Sequence, residues 1–116
     1  SFFIDIPYAP ARKLITKNIP FALASDYNPG SSPSGNMNLV NALAAIKMKI
    51  SPKAAINAST INGAYAMELA DKTGSISIGK WANINISSEI NSYGFMPYSF
   101  GQNHIEKSMI KGTWIN

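Results

Sequence analysis

The segment best suited to chemistry is the polar stretch that begins at Asp26 and runs to Gly35. It follows the apolar run 20–24, which we predict to be a buried parallel strand because it shows little alternation. In β/α barrels the loops at the carboxyl ends of the strands carry the reactive groups. An aspartate in such a loop is a hard oxygen ligand for a divalent metal and can also carry a proton. Aspartate is equally a favoured turn residue, so a purely structural role for Asp26 stays open.

Three further residues of this loop have the chemistry of a ligand-binding segment. Asn28 offers both a hydrogen-bond donor and an acceptor, and Gly30 lets backbone N–H groups approach a ligand closely. With Ser31 they could hold a carboxylate or an amide-like group. The alternative is a Pro-Gly turn without a ligand. The loop is not a phosphate-binding P-loop, since no Gly-Lys-Ser/Thr follows it.

The sequence excludes several other kinds of site. It has no cysteine, which rules out disulfides, thiolate zinc sites and cysteine nucleophiles. The single histidine, His104, lies far along the chain from the serine-rich loop, so it supports no Ser-His-Asp set, and we expect it to be structural. The six carboxylates fall in unrelated predicted elements and suggest no catalytic pair.

Helices must position the loop on both sides. Pro10 suits the first turn of a helix that we expect to end at Lys17 with Asn18 as a left-handed cap. The residues before it, 1–6, suggest the end of a strand. Three helices follow the loop. The first is capped by Asn36 or Asn38 and reaches about Lys49, with Leu39, Leu43 and Ile46 in an amphipathic stripe. The second starts at Ser51-Pro52, and the third is capped by Thr60 and stops near Gly74, with Ile61, Tyr65 and Leu69 on one face.

The last third of the chain has β character. A turn at Gly79-Lys80 precedes an alternating strand over 82–86, and 87–103 reads as irregular. A second strand is predicted over 104–110, and Lys111-Gly112 then turns the chain into a final hairpin arm over 113–115.

Composition narrows the class of protein. The 116 residues suit one small domain, and only 14% of them are charged, which favours a segment whose surface is covered within a larger protein. Lysines and arginines are scattered despite a net charge of +4, so we expect no nucleic-acid partner. No apolar run approaches the roughly 20 residues of a membrane span, and 1–6 do not resemble a signal peptide, so we expect a cytoplasmic protein without a membrane partner.

Two stretches, Pro10–Leu14 and Ala22–Met37, closely resemble the imidazolonepropionases of the amidohydrolase superfamily. The stretches 58–66, 74–80, 98–104 and 110–112 are similar to the C-terminal pattern of the same superfamily. The resemblance implies the α/β C-terminal part of a metal-dependent hydrolase: residues 1–78 as the last units of a (β/α)8 TIM barrel with C-terminal helices, and residues 79–116 as strands of a composite β-sandwich. One departure is Asn83, where the superfamily commonly has aspartate.

The resemblance also implies an activity and a site. The activity is hydrolysis of 4-imidazolone-5-propanoate to N-formimidoyl-L-glutamate in histidine degradation, with one divalent metal, zinc or iron. Asp26 matches a metal ligand that also carries the proton, and Asn28, Gly30 and Ser31 match substrate contacts. The remaining ligands, all histidines, are absent from this chain. We therefore expect an inactive fragment that needs the N-terminal part of the same enzyme, which in its intact form is expected to be a homodimer.

Other readings of the sequence stay open. The chain could derive from another amidohydrolase, such as a nucleobase deaminase. It could also be a non-catalytic module that cradles an anion on the backbone N–H groups of its Gly/Ser loop. A third possibility is a structural piece that associates through open strand edges.

Overall fold

A computed structural model describes residues 1–115 of the chain. Over this range the helices and strands are, in chain order, α1 (Ala11–Thr16), α2 (Met37–Ile46), α3 (Pro52–Ser59), α4 (Ile61–Ala66), β1 (Ile84–Ser87), α5 (Phe95–Tyr98), β2 (Ile105–Ile110) and β3 (Thr113–Trp114). The mixed helix and strand content agrees with the α/β class predicted from the sequence. No helix in residues 1–115 has the length and apolarity needed to cross a membrane.

Short-range side-chain contacts start two of the helices. The Asn36 side chain accepts hydrogen bonds from two backbone N–H groups at the start of α2, and the Ser51 hydroxyl accepts one from Ala54 at the start of α3. Asn36 is therefore the cap of the two asparagines considered, and Ser51 is a cap as predicted. Thr60 occupies the cap position of α4 as predicted, but its side chain makes no capping bond, since its hydroxyl donates back to the Ile56 carbonyl at 2.7 Å.

Left-handed residues mark where the helices stop. Asn18, with φ of 53°, follows α1 as predicted. α2 ends at Ile46 and not near Lys49, which itself has φ of 59°. α4 ends at Ala66, well before Gly74, and Glu68 beyond it has φ of 59°. A non-glycine residue in this region cannot continue a right-handed helix, so both predicted helices were too long.

Small side chains form the core between the helices. Ala11, Ala44, Ile50 and Ala55 are buried together, and the partly buried side chains that pack against them are Phe21, Leu23, Met48 and Ala54. Two large side chains that the sequence placed on apolar helix faces are exposed: Ile46 keeps 49% of its surface accessible and Tyr65 70%. Alanines at the contacts bring the helices close together and leave these larger side chains at the periphery.

Two predicted strands before α2 are absent. Residues 20–24 form no strand ladder: the Leu23 N–H donates to the Ala58 carbonyl at 3.0 Å, and the Phe21 carbonyl accepts from Asn62 Nδ2 at 2.8 Å. Residues 1–6 form a turn in which the Ile6 N–H donates to the Ser1 carbonyl at 3.2 Å. A parallel strand requires a neighbouring strand, and no other segment of residues 1–115 supplies one to either run.

The C-terminal third forms a three-stranded antiparallel sheet in the order β1-β2-β3. Ile84 pairs with Met109 and Ser87 with Ile105, with a register shift between Ile86 and Ser87. Lys111 and Gly112 both have positive φ, of 47° and 84°, as a type I′ hairpin turn requires. The two strands and the hairpin predicted for this third are present, although the first strand spans Ile84–Ser87 and not 82–86. The span predicted to be irregular, 87–103, is so beyond Ser87, apart from the short helix α5.

His104 lies immediately before β2 and is buried. Its Nε2 lies 3.2 Å from the Ser99 carbonyl oxygen, and its ring centroid lies 5.4 Å from that of Phe95. These contacts hold the α5 segment against the sheet, which is the structural role expected for this histidine.

Candidate functional site

Asp26 combines a special backbone conformation with a free carboxylate. Its φ is 51°, in the left-handed region that aspartate tolerates better than most residues. The side chain is exposed, and its carboxylate accepts no hydrogen bond within residues 1–115. An anionic oxygen ligand is thus presented with its coordinating capacity unused.

Asn28 organises the loop behind this carboxylate. Its Oδ1 accepts hydrogen bonds from the backbone N–H groups of Gly30, at 2.9 Å, and Ser31, at 2.8 Å. Its Nδ2 donates to the Asp26 carbonyl at 2.6 Å. The carboxamide therefore closes an Asx turn, in which a side-chain oxygen takes the place of a backbone acceptor.

A second set of hydrogen bonds closes the same loop. The Asn28 N–H donates to the Ser32 carbonyl at 2.9 Å, and the Ser32 hydroxyl donates to the Ser25 carbonyl at 2.7 Å. The sequence analysis did not single out Ser32, because a serine in a Ser-rich loop carries no signal of its own. The loop is fixed by its own polar groups, and Asp26 lies between two of these fixed points.

Asp26 and Ser31 both line a cavity of about 380 Å³. The cavity extends to α2, where apolar side chains including Leu39 and Leu43 contribute to its wall. Its volume falls within the range of small-molecule sites, which are typically apolar with a few converging polar groups. Asn28 and Gly30 do not line this cavity; they lie in the loop behind it.

The lining also includes aromatic residues that sequence reasoning missed. Phe2, Phe3 and Tyr8 reach the cavity from the chain that precedes α1. Residues 1–6 were read as part of a strand, and a strand reading gives no reason to place their side chains beside Asp26. The turn over these residues makes the contact possible.

The described residues offer few ligands for the metal that the resemblance implies. Residues 1–115 contain no cluster of three or more His, Cys, Asp or Glu side chains that could hold a metal ion. Asp26 offers one suitable ligand, whereas a catalytic zinc site normally has three from the protein. The described residues are therefore consistent with a contribution of one ligand and do not make a metal site by themselves.

Comparison with known proteins shows which family this chain resembles. The model of the amidohydrolase family matches residues 5–116. The imidazolonepropionases of Christiangramia forsetii and Flavobacterium johnsoniae are each 58% identical to this chain over 115 residues, which is 99% of this chain and 28% of each relative. The imidazolonepropionase of Alkaliphilus oremlandii is 43% identical over 90% of this chain and 25% of its own length.

A solved structure supports the same fold. The crystal structure of an amidohydrolase from Thermotoga maritima aligns with a TM-score of 0.70 and 23% sequence identity, over 90% of this chain and 25% of that chain. This chain thus spans about a quarter of the length of the relatives it matches. Because the family model covers nearly the whole sequence, the chain belongs to the amidohydrolase family.

Proposed function

We propose that the protein carrying this segment is an imidazolonepropionase that hydrolyses 4-imidazolone-5-propanoate to N-formimidoyl-L-glutamate. The observation that carries the proposal is Asp26, a carboxylate without a protein partner in residues 1–115, held beside a cavity of about 380 Å³. The names of relatives 58% identical over almost all of this chain support the same substrate. Histidine degradation, a cytoplasmic location and a homodimeric assembly belong to this proposal as well.

In this proposal the chain supplies the last part of a larger barrel. Residues 1–78 are its final β/α units with C-terminal helices, and residues 79–116 are strands of a β-sandwich completed by other parts of the protein. Segment 20–24, which lacks a strand neighbour in residues 1–115, would gain one from the remainder of the barrel. Asp26 then stands at the carboxyl end of a barrel strand, where catalytic groups of this architecture are found.

The proposed roles are those that the family resemblance implies, and the loop contacts are compatible with them. Asp26 would be one ligand of a divalent metal, zinc or iron, and its carboxylate would take the proton of the attacking water and pass it to the departing ring nitrogen. A bound divalent ion would lower the pKa of that water and polarise the ring carbonyl. Ser31 offers its hydroxyl at the cavity, since that group makes only long contacts of 3.4 and 3.5 Å with Asn28.

Asn28 and Gly30 contribute to substrate binding through the same turn. The Gly30 N–H is taken up by Asn28 Oδ1, so direct contact with a substrate carboxylate requires this pair to exchange partners. This internal bond weighs against the alternative of a backbone cradle that binds an anion without metal, because both central N–H groups of the turn are already donated to Asn28. The hydrolase is therefore the function favoured by the loop.

The test is Asp26→Asn in the full-length protein. Asparagine tolerates the left-handed backbone, so the loop is preserved while the charge is lost. We expect turnover of 4-imidazolone-5-propanoate to fall at least about a hundredfold, the scale of a lost proton-transfer group. Metal content, measured by elemental analysis, should also fall.

Asp5→Asn is the matched control. Asp5 is also an exposed aspartate with positive φ, of 53°, but it does not line the cavity. Its replacement should leave turnover and metal content unchanged. An Asp26→Asn protein that kept both its metal and its turnover would overturn the proposal.

A further inference from the structure

The cavity beside Asp26 carries three aromatic side chains to which the proposed reaction assigns no role. Phe2 and Phe3 expose 61% and 70% of their surface, and Tyr8 is half-buried. All three line the same cavity as Asp26 and Ser31. The Tyr8 hydroxyl forms no hydrogen bond within residues 1–115.

The local backbone presents these side chains together. The turn over residues 1–6 is closed by the hydrogen bond from Ile6 to Ser1 and by the left-handed Asp5. Tyr8 lies two residues before Pro10, whose carbonyl accepts the first hydrogen bonds of α1. α1 is anchored in turn by Ala11, which is fully buried in the core. Tyr8 thus lies just before a fixed helix start, and Phe2 and Phe3 lie in the turn that precedes it.

Aromatic surface left in water is unfavourable, and aromatic rings favour contact with other planar π systems in stacked or edge-to-face geometry. The imidazolone ring of the proposed substrate is such a planar group. The cavity therefore joins a surface suited to a flat heterocycle with a carboxylate and a hydroxyl suited to its polar edge.

We propose that Phe2, Phe3 and Tyr8, here called the aromatic wall, determine specificity by stacking against the planar ring of the substrate. This inference rests on the proposed function and assigns its ring-recognition residues. The wall discriminates a flat heterocycle from an acyclic chain that bears the same carboxylate, while Asp26 acts on the ring once it is seated.

The test compares two probes on the full-length protein by calorimetric titration. Imidazole-4-propanoate carries a planar ring and a carboxylate, and glutarate carries carboxylates without a ring. Tyr8→Leu and Phe3→Leu should each weaken imidazole-4-propanoate binding about five- to tenfold and leave glutarate binding within about twofold. Tyr8→Phe, which keeps the ring and removes the hydroxyl, should stay close to the unaltered protein for both probes.

Tyr65→Leu is the matched control, because Tyr65 is exposed but does not line this cavity. Three outcomes would each overturn the proposed role of the aromatic wall. The variants could lose affinity equally for both probes, they could bind imidazole-4-propanoate as the unaltered protein does, or the unaltered protein could show no preference for imidazole-4-propanoate over glutarate. Thermal melting confirms folding, and Phe3, being largely exposed, provides a variant with little burden on stability. Ring-dependent binding without any hydrolysis of 4-imidazolone-5-propanoate would overturn the proposed function and leave the wall standing.

Discussion

Asn28 Nδ2 donates a hydrogen bond to the Asp26 carbonyl at 2.6 Å, while its Oδ1 holds the N–H groups of Gly30 and Ser31. One carboxamide thus fixes the backbone on both sides of the turn. The left-handed Asp26 is held from the loop itself and not by burial, since its side chain is exposed. Loop closure and the direction of the carboxylate therefore depend on the same side chain.

Under the proposed function, Asn28→Ala should weaken metal binding at Asp26 without unfolding the protein. Groups that orient a ligand typically contribute 10- to 100-fold to metal affinity, so we expect a loss of about that size in the full-length enzyme, measured by competition with a chelator. Asn62→Ala is the control, because it removes one side-chain hydrogen bond to a backbone carbonyl, that of Phe21, away from the loop. If both variants changed metal affinity equally, the hydrogen bonds of the Asn28 side chain would have no special role.

Gly74→Ala should destabilise the protein more than Gly79→Ala. Both glycines have φ of 89°, so each substitution carries a left-handed cost of about 1–2 kcal/mol. A Cβ at Gly74 would also lie 2.6 Å from the Ala64 Cβ, whereas a Cβ at Gly79 meets nothing within 4 Å. Overpacking typically adds about 1–3 kcal/mol, and denaturant unfolding of the full-length protein measures the difference. Equal losses of unfolding free energy in the two variants would contradict the close contact between Gly74 and Ala64.

Ser51→Ala and Thr60→Ala should differ although both residues precede helices. Ser51 accepts the Ala54 N–H at 3.2 Å, so its loss should lower the free energy of unfolding by about 1 kcal/mol. The Thr60 hydroxyl donates to the Ile56 carbonyl and accepts no N–H at the start of α4, so its replacement should cost less than about 0.5 kcal/mol. A larger loss at Thr60 than at Ser51, in thermal or denaturant unfolding, would contradict this assignment.

Asn83 links the helical part of the chain to the hairpin. Its Oδ1 accepts the Lys111 N–H at 2.8 Å, and its Nδ2 donates to the Thr73 hydroxyl at 3.3 Å. Asn83→Ala should lower the free energy of unfolding by about 1 kcal/mol. Asn83→Asp should be nearly neutral, because a carboxylate accepts from Lys111 and the Thr73 hydroxyl can become the donor. Equal destabilisation by both substitutions would show that the acceptor is unimportant.

The sequence by itself determined the features set by neighbours within a few residues. The Ser51-Pro52 helix start, the left-handed Asn18 and the Lys111-Gly112 turn were all predicted and are confirmed, because each rests on local backbone preference or a short side-chain contact. The loop around Asp26 was recognised for the same reason. Its motif also carried the resemblance that family comparison confirmed.

Only the tertiary structure decided the features that depend on distant partners. Residues 20–24 have a strand-like composition but contact α3 and α4, since no strand in residues 1–115 lies beside them. Phe2 and Phe3 line the Asp26 cavity because residues 1–6 form a turn where a strand was predicted, and Tyr8 lines it from the segment that follows. Strand pairing and cavity lining are fixed by residues far apart in sequence, and apolar composition alone does not specify which surface a side chain will meet.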